Sequence, residues 1–227
     1  MGNHEETRRE RPAAIGHDAR GLRAAVAVAA ILAAATPAFA APKAESALSG
    51  AKPLPAAIRA DDGRIQYTGR IDFSDPAAPA FAFSATEIRA RFTGRSLDVV
   101  LSDRGDRNYF QVTVDGGAPI VIRSARGEKV HPIARKLKRG IHDVRIVKRT
   151  EGNCGVAAFL GFRLDKGADL ADPAPLQDRR VEFIGDSITC GYGNMVSTTE
   201  PDKFHFTPEN ENAALSWGFL TAEALGA

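Results

Sequence analysis

The sequence predicts a jelly-roll-like β-sandwich over residues 58–165, followed from residue 179 by the start of an α/β domain. Three observations carry this expectation. Apolar and polar residues alternate with period two in short runs between Ile88 and Ile146, the pattern of strands with one face in a core and one in water. Turn-forming residues separate those runs at the spacing of an antiparallel sandwich. A short apolar run, Val181, Phe183 and Ile184, then passes through Gly185 toward a strongly apolar helical segment, Ala213 to Leu225, the order of a strand, turn and helix in an α/β layer. The whole chain, 227 residues at 44% hydrophobic and 26% charged, has the balance of a globular protein. Disordered, collagen-like and multi-span membrane classes are excluded.

Taken in order, residues 1–23 are polar and carry Arg8, Arg9, Arg11, Arg20 and Arg23. The uncharged run Ala24 to Ala35 follows, too short for a bilayer span of about 20 residues. Thr36-Pro37 breaks it, and Ala38-Phe39-Ala40 places small residues where a signal peptidase reads. Residues 1–40 are therefore expected to be a secretory signal peptide cleaved after Ala40, giving a secreted or periplasmic protein with no membrane association after cleavage. Residues 41–57, rich in Ala, Pro, Ser and Lys, read as a tether. Of 30 Lys+Arg and 28 Asp+Glu in the chain, the leader holds five and four, so the mature chain has 25 against 24. That near-neutral balance, without a basic stripe, argues against a nucleic-acid partner and leaves an uncharged polysaccharide or a small ester open.

Within the sandwich, Ile88, Ala90 and Phe92 alternate with arginines; Leu97, Val99 and Leu101 form a second run, Phe110, Val112 and Val114 a third, and Val144 and Ile146 a fourth. Asp75-Pro76, Thr93-Gly94, Asp103 to Asp106, Asp115-Gly116-Gly117 and Arg139-Gly140 punctuate them. Asp115-Gly116 tolerates the positive φ angles of a tight hairpin. His131 and His142 lie in the basic run Lys129 to Arg149. An anion-binding patch is one reading, and solvated strand faces and turns are the favoured one. Tyr67, Phe73, Phe81, Phe83 and Tyr109 could stack on sugar rings. The two-residue spacing of Phe81 and Phe83 argues that both belong to the core.

Residues 166–178, with two prolines and three aspartates, read as a linker to the segment 179–227. There Val181, Phe183 and Ile184 read as a strand, Gly185 permits a sharp turn, and Asp186-Ser187 falls at the carboxyl end of the expected sheet, where open α/β folds place their sites. A serine so placed exposes its hydroxyl, and its backbone N–H can face a developing oxyanion. The run Phe183-Ile184-Gly185-Asp186-Ser187-Ile188 resembles the first sequence block of the SGNH/GDSL hydrolases. Ile184 to Asn194, set behind a β-module of this kind, resembles carbohydrate esterase family 2, the acetyl xylan esterase-like group. Phe92 to Asp106, Tyr109 to Gly117 and Lys148 to Leu164 are similar to that family's N-terminal jelly roll.

The resemblance implies an O-acetyl esterase acting on acetylated polysaccharide or oligosaccharide. Ser187 would be the nucleophile and an oxyanion donor through its N–H, Asp186 would support the turn, and no metal or cofactor would be needed. It also implies a histidine base and two further oxyanion donors, a glycine and an asparagine, from later blocks. His205, eighteen residues beyond Ser187, does not match the base, and Asn210 and Asn212 come too early for the oxyanion asparagine. The two asparagines read instead as caps of the helix that follows. The expectation is thus a truncated esterase whose general base is not in this chain and which is inactive by itself. The alternatives are a non-catalytic carbohydrate-binding module and an SGNH hydrolase acting on a lipid or thioester. Cys154 and Cys190 are the only cysteines. Export permits a disulfide between them, two buried thiols are the alternative, and neither has sequence neighbours that mark a metal site.

Overall fold

The computed structural model describes residues 51–196 and 205–227. The signal-peptide reading of residues 1–40, and the tether up to residue 50, lie outside them. The strands are β1 (Ala56–Arg59), β2 (Gln66–Thr68), β3 (Ala80–Phe81), β4 (Glu87–Thr93), β5 (Leu97–Asp103) and β6 (Tyr109–Val114). They continue as β7 (Ile120–Arg123), β8 (Gly127–Ala134), β9 (Ile141–Lys148), β10 (Ala157–Leu164) and β11 (Leu170–Ala171), and a single α-helix among the described residues, α1 (Trp217–Leu225), follows. Two antiparallel sheets result. One has the order β1-β10-β5-β8, with β3 sharing the β1 edge of β10; the other has the order β11-β4-β9-β6-β7, with β2 sharing the β11 edge of β4.

The alternating runs form the centre of both sheets because each can bury one complete face. Phe92, Phe110, Phe159, Phe162, Leu97, Val99, Leu101, Ile88, Ile146 and Leu164 are all buried in one continuous core. Burial of a side chain of this size contributes about 1.5–3 kcal/mol. The Asp115-Gly116 turn behaves as its residues require: φ is +53° and +65°, and the Gly117 N–H donates to the Val114 carbonyl at 2.9 Å. A bulge after Phe159 brings the β1 backbone against Gly161. At φ +117°, a Cβ there would sit 1.9 Å from the Ile58 carbonyl oxygen, so only glycine fits.

Three sequence expectations are corrected. The tether ends before residue 57: β1 starts at Ala56 and pairs with β10, and the Leu54 N–H donates to the buried Asp98 carboxylate at 2.9 Å. The linker is part of the sandwich, because Leu170 is buried and β11 pairs with Phe92 and Arg91 of β4. Arg64 holds Asp169 at 3.0 Å and the Gln66 amide donates to the Ala174 carbonyl at 2.7 Å. Phe83 is exposed, not core, because β3 ends at Phe81 and the alternation has no strand to continue on. The Arg70 guanidinium covers its ring at 5.1 Å.

Candidate functional site

Ser187 is exposed and opens the turn that runs to Met195. The Asp186 carboxylate accepts the Ile188 N–H at 3.0 Å, a side chain mimicking a backbone turn. The Cys190 N–H donates to the Asp186 carbonyl at 3.2 Å and the Tyr192 N–H to the Ser187 carbonyl at 2.9 Å. The Ser187 hydroxyl has no hydrogen bond to a described side chain, and exposed His205 has no hydrogen bond to Ser187. The expected strand at Val181–Ile184 is not formed. Ile184 is 88% exposed, Val181 is exposed as well, and no described strand lies beside them to pair with. Phe183 alone is sheltered, edge-on to Trp217 at 5.2 Å and against Gly218 of α1.

The turn is fastened to the sandwich by the segment 207–216. Gly191 is buried at φ +81°, and a Cβ there would lie 2.5 Å from the Asn212 carbonyl oxygen. This explains a glycine three residues after Ile188: the backbones touch. The Asn194 amide donates to the same carbonyl at 2.8 Å, and the Met195 N–H to the Asn210 carbonyl at 3.1 Å. Asn212 caps only a short 3-10 turn, Ala213–Leu215, accepting from the Ala214 N–H at 3.1 Å. The α-helix begins later than expected, at Trp217, capped by Ser216 at 3.4 Å. Asn210 ends a preceding 3-10 turn, Pro208–Asn210, and caps no α-helix.

Strand β9 supplies the opposing anchor, and here the reading of Lys129 to Arg149 as solvated fails at its end. Lys129, Lys136, Lys138 and Arg139 are exposed, but Lys148 and Arg149 are buried. The Lys148 ammonium donates to the Thr150 carbonyl at 2.6 Å and the Glu151 carbonyl at 3.3 Å. Burial pushes it down to about 8. The Arg149 guanidinium donates to the Glu211 carbonyl at 3.2 Å and the Glu209 carbonyl at 3.1 Å. The Ala213 N–H returns a bond to the Arg149 carbonyl at 3.0 Å. Glu211 is fully buried. One of its oxygens accepts the Glu151 N–H at 2.9 Å, and burial pushes its carboxyl up to about 7.

Cys154 is buried and Cys190 half-buried, both as free thiols, and burial raises both. One carboxylate oxygen each from Glu151 and Glu211 and the Cys190 sulfur lie within 4.8 Å of one another. Sequence neighbours gave no sign of this, since the two acids come from segments distant in the chain. Of the aromatics weighed for sugar stacking, Tyr109 and Phe81 are buried. Tyr67 is half-buried and donates to the Ala60 carbonyl at 2.7 Å. Its ring meets exposed Phe73 edge-on at 5.3 Å. His142 is buried, 2.7 Å from the Asp115 carboxylate. His131 is half-buried, and burial holds its imidazole below the ordinary histidine value.

Residues 67–175 match the model of the carbohydrate esterase 2 N-terminal family. These residues form a carbohydrate esterase 2 N-terminal domain. Cellulase/esterase CelE of Acetivibrio thermocellus is 40% identical over 167 residues, covering 74% of this chain and 20% of that protein. An acetylxylan esterase/glucomannan deacetylase of Cellvibrio japonicus is 35% identical over 185 residues, covering 80% of this chain and 47% of its own length. Among solved structures, a family two carbohydrate esterase from Clostridium thermocellum, in complex with cellohexaose, superposes with TM-score 0.66 at 37% identity over 71% of this chain and 48% of that one. A family two carbohydrate esterase from Cellvibrio japonicus, at 24% identity and TM-score 0.68, shows the shared fold. The chain thus spans half or less of each of these relatives. The matched residues run from within β2 to just past β11, and the segment bearing Ser187 lies beyond them.

Proposed function

We propose that this chain is the N-terminal part of an exported carbohydrate O-acetyl esterase of the SGNH type, with Ser187 as nucleophile. The observation that carries the reading is the exposed Ser187 on a turn set by the Asp186 carboxylate and joined to a carbohydrate esterase 2 N-terminal domain. In the reaction, the Ser187 hydroxyl attacks the acetyl carbonyl and loses its proton to a general base. The sugar alcohol departs, and water then releases acetate from the acyl-enzyme. The Ser187 N–H faces the developing oxyanion. No described histidine bonds Ser187, and the reading assigns the base to the part of the relatives' length that this chain does not span.

The relatives' length supports that division. So does the exposure of the large apolar side chains of Leu176, Val181, Ile184, Ile188, Trp217 and Leu220, which further layers of an α/β domain would cover. The substrates suggested by the relatives are acetylated xylan and glucomannan. The test is acetate release from both by a protein extended to the length of the Cellvibrio relative. Activity should fall about 10³-fold or more in Ser187→Ala, while the 227-residue chain stays near background. Full activity of the extended Ser187→Ala protein would refute the assignment of Ser187. Ordinary turnover by the 227-residue chain would refute the absent base.

A further inference from the structure

Glu151, Cys190 and Glu211 reach one point from three segments: the end of β9, the Ser187 turn, and the stretch before α1. Glu211 is 0% exposed, and its Oε2 is buried with no hydrogen-bond partner among the described residues. A carboxylate oxygen that has lost water and gained no hydrogen-bond donor is a costly arrangement. Lys148 and Arg149 favour the charged carboxylate through space, but neither donates to this oxygen. Lys148 is committed to the Thr150 and Glu151 carbonyls, and Arg149 to the Glu209 and Glu211 carbonyls. What Oε2 lacks is a direct partner, and an ion held by the three side chains would be one.

We propose that Glu151, Cys190 and Glu211 bind a divalent transition-metal ion, Zn(II) by preference, which clamps the Ser187 turn to the end of the β-sandwich. The donor set selects the ion. A thiolate disfavours Mg(II) and Ca(II), while one sulfur with two carboxylates suits borderline Zn(II), leaving a fourth position for water. Bond lengths of roughly 2.0–2.3 Å in a tetrahedron put ligand atoms about 3.5 Å apart. The donors here lie within 4.8 Å of one another, so closing on an ion needs side-chain rotation of about an ångström at most and no backbone movement. Cys190 sits three residues after Ser187. An ion held there would tie the turn to the end of the sandwich.

The experiment uses the reduced, metal-free 227-residue chain and Co(II) as a spectroscopic stand-in for Zn(II). One equivalent of Co(II) should produce a thiolate-to-metal charge-transfer band in the near ultraviolet, displaced by Zn(II), and Zn(II) should raise Tm. The band should persist in Cys154→Ser and vanish in Cys190→Ser. Glu211→Gln should weaken Zn(II) binding tenfold or more by calorimetry. Glu151→Gln should do likewise and replaces Glu211→Gln if circular dichroism shows the latter unfolded. Absence of the band, its dependence on Cys154, or undiminished affinity in the folded carboxylate variants would overturn the proposal.

Discussion

Replacing Arg145 should release α1 from the sandwich. Arg145 lies on the outer face of β9. Its Nε is 2.5 Å from Glu87 of β4, an Nη is 2.7 Å from Glu223 of α1, and the guanidinium covers the Phe219 ring at 4.8 Å. Glu87 is nearly buried, and Glu223 is half exposed. The Glu223 bridge should therefore contribute about 0.2–1 kcal/mol and the ring contact about 0.5–1 kcal/mol. Removing the guanidinium also strands the Glu87 carboxylate, which costs about 3 kcal/mol for a fully buried group. Arg89, at 3.6 Å from Glu87, eases that. Arg145→Met should thus lose about 2–4 kcal/mol in urea unfolding. Arg145→Lys should keep most of the Glu87 contact and lose the Glu223 one, because an ammonium has no fork to span both. A double-mutant cycle of Arg145 and Glu223 should give up to about 1 kcal/mol of coupling, and thermolysin should cut α1 faster in either single variant. Zero coupling, with α1 cleaved at the wild-type rate in Arg145→Met, would refute the docking argument.

Three further outcomes follow from the same structure. Gly161→Ala should destabilise by at least about 3 kcal/mol, a Tm loss of roughly 6–12 °C by calorimetry, since a Cβ at φ +117° meets the Ile58 carbonyl at 1.9 Å. Arg135→Met should cost about 3 kcal/mol by leaving Asp98, fully buried and 2.7 Å from that guanidinium, without its counter-charge; adding Asp98→Leu should recover part of the loss, and no recovery would contradict a charge-burial cause. For the Asp115–His142 pair, burial opposes both charged forms, but their mutual hydrogen bond raises His142 and lowers Asp115. A raised histidine stabilises below its ordinary value and loses that contribution as pH rises through the folded one. A lowered aspartate stabilises above its ordinary value and loses that contribution as pH falls. The pair should therefore stabilise most between about pH 4 and 6.5, and Asp115→Asn should flatten Tm across that window's two edges.

The strands that the sequence announces are those whose own residues can close a face. Phe92, Val99, Phe110 and Ile146 bury because the alternation is complete within each run. Asp115-Gly116 turns because those residues accept positive φ. The misread stretches are those whose structure depends on a neighbour. Leu170–Ala171 is a strand only because the edge of β4 has free backbone groups beside it. Val181–Ile184 has strand composition but no described strand beside it. Phe83 lost its place in the core when β3 ended two residues early.

The candidate site divides in the same way. Ser187, the Asp186 turn and the glycines around them could be read from the run Ile184 to Asn194, because turn chemistry is local. The partners of that turn could not. Arg149 looked like one more surface cation, and nothing in the local sequence marked Glu211. Their burial comes from the return of residues 207–216 onto the end of β9. Sequence alone determined the sandwich's central strands and the placement of a nucleophile-like serine on a turn, since both rest on periodicity and backbone preference within a few residues. Only the tertiary structure decided which charges lost their water and which thiol met two carboxylates, because desolvation and proximity between distant segments are properties of packing.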